Sequence, residues 1–133
     1  MKNSIFDPVR KKRVAFTPEE SVRQQLIVYL RDTLRYPLSH MSCEYSLARG
    51  KKKYRSDLII FDKELKPYLL AECKAPGVKL TSEVFEQIIR YNHSLKVKYL
   101  VLTNGKTSYF AVYDACGDKY DFITEMPEFN GFS

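Results

Sequence analysis

The chain has 133 residues, of which 44% are hydrophobic and 29% charged, so its composition indicates one globular domain and excludes a largely unfolded chain. Apolar runs such as residues 58–61 and 68–71 are too short to span a membrane, and the N-terminus does not resemble a secretory signal. Three separated cysteines without a C-x-x-C pair exclude a disulfide framework and a zinc site, and they indicate reduced thiols in a cytoplasmic protein.

The first predicted element is a helix that begins after Thr17 and extends to about Arg35. Thr17 supplies the N-cap, Pro18 occupies the first helical position, and Glu20 completes a capping box. An apolar stripe with a four-residue spacing follows, formed by Val22, Leu26, Leu30 and Leu34. Pro37 ends the helix, because the residue before a proline disfavours the helical conformation.

Three strands are predicted next, over residues 41–47, 55–61 and 67–74. Residues 48–54 form a basic turn between the first two strands, and residues 62–66 form a polar turn before the third. The second and third strands are apolar on both faces, which predicts that helices cover both sides of the sheet.

The second helix is predicted from Thr81 to about Leu95. Its inward stripe is expected to consist of Val84, Ile88, Tyr91 and Leu95. Strands at residues 97–103 and 107–113 follow, joined by a turn at Asn104-Gly105, and residues 120–124 are expected to add a short edge strand.

The element order α-β-β-β-α-β-β predicts an α/β fold with a mixed sheet flanked by helices. We expect a single domain with a core at about residues 17–114. The acidic tail at residues 115–133, which contains Phe129 and Phe132, is expected to be loosely ordered.

Two carboxylates and a lysine are predicted to meet where the second and third strands pair. Glu72 and Lys74 are two residues apart, so an extended strand projects both from one face. Counting outward from a turn at Glu64 makes Asp57 the cross-strand neighbour of Glu72. Two carboxylates this close repel unless a cation lies between them, and such oxygen ligands suit Mg²⁺ or Mn²⁺. The alternative is a Glu72–Lys74 ion pair on a solvated sheet face.

Basic residues form two clusters in a chain whose net charge is +6. Residues 1–113 hold 21 Lys and Arg against 11 Asp and Glu, whereas residues 114–133 hold one against five. The clusters are predicted to contact nucleic-acid phosphates, and the alternative is that they only keep the protein soluble. They comprise Arg10, Lys11, Lys12, Arg13, Arg49, Lys51, Lys52, Lys53 and Arg55.

Five segments, taken in order, resemble a known nuclease family. They are Thr17-Pro18-Glu19-Glu20-x-x-Arg23-Gln24, Arg55-x-Asp57, Glu72-Cys73-Lys74-Ala75-Pro76, Gln87-x-x-x-Tyr91-Asn92 and Thr103-Asn104-Gly105. Asp57 followed by Glu72-x-Lys74 on neighbouring strands resembles the PD-(D/E)XK nuclease superfamily. The set of five, from about Thr17 to Asp114, is similar to the N-terminal nuclease domain of type I restriction enzyme R subunits.

The resemblance implies a restriction-endonuclease-like core and a nuclease that depends on Mg²⁺ or Mn²⁺. Asp57 and Glu72 would ligate the metal, and Lys74 would be the catalytic lysine. Glu20 would reach the same metal directly or through water, in addition to or instead of its capping role.

Two residues of the second helix are also implied in the site. Gln87 and Tyr91 lie one helical turn apart and so on one helix face. The resemblance implies that they border the active site and help to hold the nucleic acid. The alternative is that they only pack the helix against the sheet.

The chain departs from the family pattern in two ways. Arg55-Ser56 replaces the usual proline before the first acidic residue, and no G-x-x-x-x-G-K-[ST] loop of a helicase motor is present. We therefore expect either a free-standing nuclease domain that hydrolyses DNA phosphodiester bonds or a component that depends on partners. The alternative is a catalytically silent nuclease-fold module that binds nucleic acid as a subunit or regulator.

DNA is the expected partner, and no membrane partner is expected. The sequence leaves RNA open as a substrate. It also leaves open a homodimer or a larger restriction or DNA-processing complex.

Overall fold

The helices and strands of a computed structural model, which describes residues 3–130, follow the predicted order behind an additional N-terminal hairpin. The hairpin consists of β1 (Ser4–Asp7) and β2 (Lys12–Ala15). The helices are α1 (Pro18–Val28) and α2 (Ser82–Asn92). The other strands are β3 (Met41–Arg49), β4 (Lys52–Phe61), β5 (Pro67–Cys73), β6 (Tyr99–Thr103), β7 (Ser108–Asp114) and β8 (Lys119–Ile123).

Within residues 3–130, strands β3 to β8 form one sheet in sequence order, called here the main sheet. Neighbouring strands are antiparallel except for β5 and β6, which are parallel and are joined through α2. The mixed sheet flanked by helices is thus confirmed, and so is the short edge strand, which is β8.

The central strands bury both faces of the main sheet, as their uninterrupted apolar sequences predict. On one face, α1 packs against alternate residues of β4 and β5 such as Leu58 and Leu69. On the other face, α2 packs against the intervening residues such as Ile59 and Leu70. Each central strand therefore belongs to two separate apolar layers.

Helix α1 begins as predicted, because the Thr17 hydroxyl accepts a hydrogen bond from the Glu20 backbone N–H at 3.1 Å. The predicted end near Arg35 is wrong in detail. The α-helix ends at Val28, and residues Tyr29–Thr33 form a wider π-helical turn that carries Leu30 into the core. Helix α2 also begins as predicted, with Thr81 as its N-cap, and a 3₁₀ turn at His93–Leu95 follows it.

The predicted inward stripe of α2 is confirmed at Ile88 and Leu95, which pack against the core, and is wrong at Val84 and Tyr91. Phe85 is the fully buried anchor of the helix, and its ring packs against Tyr109 and Phe122 of β7 and β8. This orientation leaves Val84 and Tyr91 exposed, with 36% and 49% of their surfaces accessible.

Two connections also differ from the sequence predictions. The basic turn predicted over residues 48–54 is much shorter, because β3 extends to Arg49 and β4 begins at Lys52. Gly50, with φ +63°, permits the tight reversal between them. The basic cluster at residues 10–13 extends from the hairpin turn into β2. Strand β2 pairs with β1 from Ser4–Ala15 to Asp7–Lys12.

The tail that was expected to be loosely ordered is docked on the α1 side as far as Asn130. Met126 is buried, and the Phe129 ring lies 5.1 Å from that of Tyr36 and 5.5 Å from that of Tyr68. The Phe129 N–H donates to the Leu34 carbonyl at 2.8 Å, which satisfies a group at the end of the helical run. Phe132 lies outside the described residues.

Two further expectations can be compared with the structure. Cys43, Cys73 and Cys116 are all free thiols, as their spacing predicted. In the described part of the chain, no helix has the length and apolar character needed to cross a lipid bilayer.

A buried ion-pair cluster joins the N-terminal hairpin to α1. Arg10, between β1 and β2, pairs with Asp7 and with Glu20, whose Oε1 lies 2.7 Å from the Arg10 Nη2. Arg23 bonds both oxygens of Glu20 at 3.1 Å, and the Gln24 amide donates to Oε2 at 3.0 Å. The hairpin is therefore fixed to α1 by charge as well as by apolar contact.

The cluster lowers the pKa values of the Asp7 and Glu20 carboxyls. Burial would raise the pKa of Glu20, but hydrogen bonds from Gln24 and Arg10 and the charge of Arg23 outweigh it and lower the pKa. At Asp7, burial is likewise outweighed by hydrogen bonds from Arg10, the Val9 N–H and Gln24. The stability that these carboxylates contribute is complete above their ordinary pKa and is lost as pH falls through the lowered value.

Leu69→Ala tests the central strand. Leu69 is fully buried between β4 and β6, so we expect the substitution to lower the free energy of unfolding by about 2–5 kcal/mol in urea denaturation. Leu65→Ala removes the same atoms from a residue that is 78% exposed. This control should change the free energy of unfolding by less than about 0.5 kcal/mol. Equal effects of the two substitutions would contradict the assigned core.

Glu20→Gln tests the ion-pair cluster. Because two guanidinium groups lose their buried counter-charge, we expect the free energy of unfolding at neutral pH to fall by roughly 3 kcal/mol. The difference in free energy of unfolding between variant and wild type should shrink as pH falls below 4.5, the ordinary pKa of glutamate. In this range the wild type loses the same interaction. Glu64→Gln, in the exposed pair with Lys66, is the matched control. A pH-independent difference would contradict the assignment.

Candidate active site

The backbone pairing of the main sheet is interrupted at Asp57. Strand β3 pairs with β4 through Cys43–Leu58 and Tyr45–Ser56 but not through the intervening residues Glu44 and Asp57. Glu44 has φ +54°, an unfavourable conformation for a residue with a side chain. Pairing of β4 with β5 also begins only at Leu58–Ala71. Asp57 thus lies in a local break between two regular segments of β4.

Side chains and backbone groups hold Asp57 in this break. Its Oδ2 accepts a hydrogen bond from the Cys73 backbone N–H at 2.7 Å, and its carbonyl accepts one from Arg23 at 3.0 Å. Arg23 is in turn held by Glu20. The Asp57 carboxylate is therefore fixed against β5, at the residue that separates Glu72 from Lys74.

Glu72 and Lys74 lie beside this carboxylate at the end of β5. The Lys74 ammonium is 4.0 Å from Glu72 Oε1, and both side chains are half-buried. The Lys74 N–H donates to the Thr103 carbonyl at 2.9 Å, which fixes the chain just beyond the strand. Asp57 and Glu72 are the next residues beyond the Leu58–Ala71 pair, one on each strand, so the predicted proximity of the two carboxylates agrees with the observed register.

Glu72 is a weaker acid than an ordinary glutamate. Burial raises the pKa of its carboxyl most, the Lys74 ammonium lowers it, and the negative charges of Asp57 and Glu19 raise it further. The net pKa is raised. Two carboxylates thus act on Glu72 in the same direction as burial, and the lysine does not outweigh the three effects together.

The α1 carboxylate that acts electrostatically on Glu72 belongs to Glu19 and not to Glu20. Glu19 is exposed in the first turn of α1. Both oxygens of Glu20 are engaged by the Arg10, Arg23 and Gln24 donors described above. The expectation that Glu20 approaches the metal stays a prediction, and both of its oxygens already accept hydrogen bonds within the protein. The sequence contained no signal to prefer Glu19, because the capping box singled out its neighbour.

An open cleft of about 550 Å³ lies between α2 and the main sheet. Glu72, Lys74, Gln87 and Tyr91 all line it, so the structure brings these four predicted residues together. The remaining lining residues are Lys53, Arg55, Ser56, Leu70, Ala71, Val84, Ile88, Asn92, Leu100 and Val101. Gln87 is exposed to solvent, whereas Tyr91 is about half exposed and also packs α2 against Tyr54 of the main sheet.

The donor set fits a hard divalent cation. Among residues 3–130, no group of three or more His, Cys, Asp or Glu side chains is assembled for metal binding, so a protein-only cage is not formed. Mg²⁺ and Mn²⁺ keep several waters and need only one or two carboxylates, which Asp57 and Glu72 could provide. Burial and the Asp57 charge raise the pKa of the Cys73 thiol, which disfavours a thiolate ligand.

Four of the nine cations predicted to contact nucleic acid are engaged with the protein itself. Arg10 belongs to the ion-pair cluster, and Arg13 donates to Ser4. Arg49 and Lys52 donate to the carbonyls of Ser94 and Tyr91, at the C-terminal end of α2. Lysine and arginine at this end satisfy unpaired carbonyl groups and complement the helix dipole.

The other five cations keep the predicted role available. Lys53 and Arg55 line the cleft. Lys11, Lys12 and Lys51 are exposed on the surface. The cations that the structure associates with the candidate site are therefore those of β4, and not those of the N-terminal hairpin.

The fold resembles that of a solved structure at low sequence identity. It is a fragment of a protein described as an HsdR subunit of a type I restriction enzyme from Vibrio vulnificus YJ016, with 15% identity and a TM-score of 0.55. The similarity covers 85% of this chain and 24% of that chain, so this chain spans about a quarter of the other's length. Identity this low supports the fold alone. No curated protein matches the sequence.

A family comparison covers most of the chain. Residues 18–127 match the model for the type I restriction enzyme R protein N terminus (HSDR_N). The matched region extends from the first residue of α1 to beyond β8 and includes Asp57, Glu72 and Lys74. The chain therefore belongs to the family of type I restriction enzyme R protein N-termini.

Proposed function

We propose that the chain is a metal-dependent nuclease domain of the PD-(D/E)XK type that hydrolyses DNA phosphodiester bonds in a restriction or DNA-processing complex. One observation supports this most. The Asp57 carboxylate, held in a break of the sheet, acts electrostatically on Glu72, whose pKa is raised and which lines a cleft together with Lys74 and two further cations. Groups with perturbed pKa values that converge in a cleft are typical of functional sites.

In this proposal Asp57 and Glu72 hold a Mg²⁺ or Mn²⁺ ion, which supplies positive charge that polarises the phosphate and makes water more acidic. Asp57 presents its Oδ1, because its Oδ2 is engaged by the Cys73 N–H. Glu19 contributes negative charge from α1 and takes the role that was expected of Glu20.

Lys74 acts on the phosphate in this mechanism. A water oxygen attacks phosphorus and releases its proton to solvent, the ester P–O bond breaks, and the leaving oxygen takes up a proton from solvent. The ammonium, 4.0 Å from Glu72, stabilises the negative charge that develops on the phosphoryl oxygens. Lys53 and Arg55 attract the neighbouring phosphates of the substrate.

The silent module remains the second candidate, and one observation favours it. Within the described residues no group of three or more His, Cys, Asp or Glu side chains could hold a metal ion, and four of the nine predicted phosphate contacts are engaged with the protein. A chain that binds DNA without cleaving it under any metal would fit this second candidate.

DNA cleavage tests the proposed nuclease. We expect supercoiled or linear DNA to be cleaved with Mg²⁺ or Mn²⁺ and not with EDTA. Glu72→Gln and Lys74→Met should each lower the rate by more than about 100-fold, beyond the 10- to 100-fold that loss of an outer-shell partner costs. Glu64→Gln and Lys66→Met change an exposed pair of the same chemistry and should leave the rate unchanged. Equal rates in all variants would contradict the assignment.

Thermal unfolding tests metal binding without requiring catalysis. Because the pKa of Glu72 is raised, its charge destabilises the fold as pH rises above the ordinary value of 4.5. At mildly alkaline pH in EDTA, Glu72→Gln should therefore increase Tm. Mn²⁺ should increase the Tm of the wild type and not that of the variant. A lower Tm of the variant in EDTA, or an equal response to Mn²⁺, would contradict a metal site at Glu72.

A further inference from the structure

Three apolar side chains of α2 form one wall of the cleft: Val84 and Tyr91 are exposed, and Ile88 is partly buried against the core. Val84, Ile88 and Tyr91 are four and three residues apart, so they form one stripe along the helix. Leu70 and Leu100 of the main sheet line the same cleft. An apolar stripe left open beside charged groups is a characteristic of ligand sites, because burial elsewhere would be more favourable.

The ring of Tyr91 is fixed in place before any ligand arrives. Its hydroxyl donates to the Lys53 carbonyl, and its ring packs against that of Tyr54 at 5.5 Å. The Lys52 ammonium lies 4.2 Å from the ring centroid. Nearly half of the side-chain surface nevertheless remains exposed at the cleft. A ring held this way loses little conformational freedom when another flat group stacks on it.

The charge of the cleft indicates an anionic ligand. Lys53, Arg55 and Lys74 line it, whereas Glu72 is the one acidic side chain among the lining residues that the structure describes. A ligand complementary to this surface has negative charge next to a flat apolar group. A nucleotide with its base unstacked has this chemistry, whereas a paired duplex turns its bases inward and presents mainly sugars and phosphates.

We infer that the cleft receives an unpaired nucleobase next to the scissile phosphate, so that the substrate is single-stranded or locally unpaired nucleic acid. This inference rests on the proposed function for the position of the phosphate, near Glu72 and Lys74. The base enters between the α2 stripe and the sheet and stacks on Tyr91. A volume of about 550 Å³ suits a ligand of nucleotide size and not a double helix.

Binding of fluorescently labelled oligonucleotides in EDTA tests this inference independently of cleavage. The probes are a short single strand, its duplex, the same strand with abasic sites, and the RNA strand of the same sequence. We expect the single strand to bind at least about tenfold more tightly than the duplex or the abasic strand, as loss of a stacked base predicts. The affinity for the RNA strand, compared with that for the DNA strand, shows whether the sugar contributes to binding.

Substitutions of Tyr91 identify the site of stacking. Tyr91→Ala should weaken single-strand binding about tenfold, whereas Tyr91→Phe keeps the ring and should stay within about threefold of the wild type. Tyr29→Ala is the matched control, because Tyr29 is an exposed tyrosine of the α1 side, outside the cleft. Duplex binding should be equal in all four proteins.

The outcomes separate this inference from the proposed nuclease. Equal affinity for the single strand, the duplex and the abasic strand would overturn the inference, even if the duplex were cleaved with Mg²⁺. Equal binding by wild type and Tyr91→Ala would also overturn it. Base-dependent binding that is lost in Tyr91→Ala, without cleavage under any metal, would support the base site and contradict the proposed nuclease.

Discussion

The hydrogen bond from the Cys73 N–H to the Asp57 carboxylate is the interaction on which the candidate site depends. It becomes available because β4 leaves regular pairing on both sides at Asp57, which frees its carbonyl for Arg23 and its side chain for β5. The same residue of β5 separates Glu72 from Lys74. One backbone N–H therefore sets the distance between the first carboxylate and the other two groups.

The conformational cost of the break is shared with the neighbouring strand. Glu44, opposite Asp57, has a positive φ and directs its carboxylate to Arg23 at 3.3 Å. Strained backbone of this kind persists where surrounding contacts determine it, and it concentrates at functional sites. Here the surrounding contacts are the ion pairs of Arg23 with Glu20 and Glu44, so the buried charge cluster and the candidate active site form one continuous network.

Much of this arrangement could be predicted from the sequence, because it depends on local rules. Strand periodicity and a count from the turn at Glu64 were enough to bring Asp57 and Glu72 together, and the Thr17 and Thr81 caps defined where both helices begin. The rest depends on tertiary contacts. Glu19 and Glu20 are adjacent, and Arg10 of a distant hairpin adds to Arg23 of α1 in neutralising Glu20. Likewise, the burial of Phe85 determines which face of α2 points into the core, and the spacing of apolar residues within the helix did not predict that face.

The N-terminal hairpin has a consequence for how the limits of the domain are drawn. The family match begins at residue 18, after β1 and β2, yet Arg10 supplies one of the two guanidinium groups that neutralise the buried Glu20. A polypeptide trimmed to the region of family similarity would retain every proposed ligand and lose this counter-ion. The boundary of the family match and that of the folded unit thus differ by about one hairpin, and the shorter polypeptide would lack a buried counter-charge next to the proposed catalytic groups.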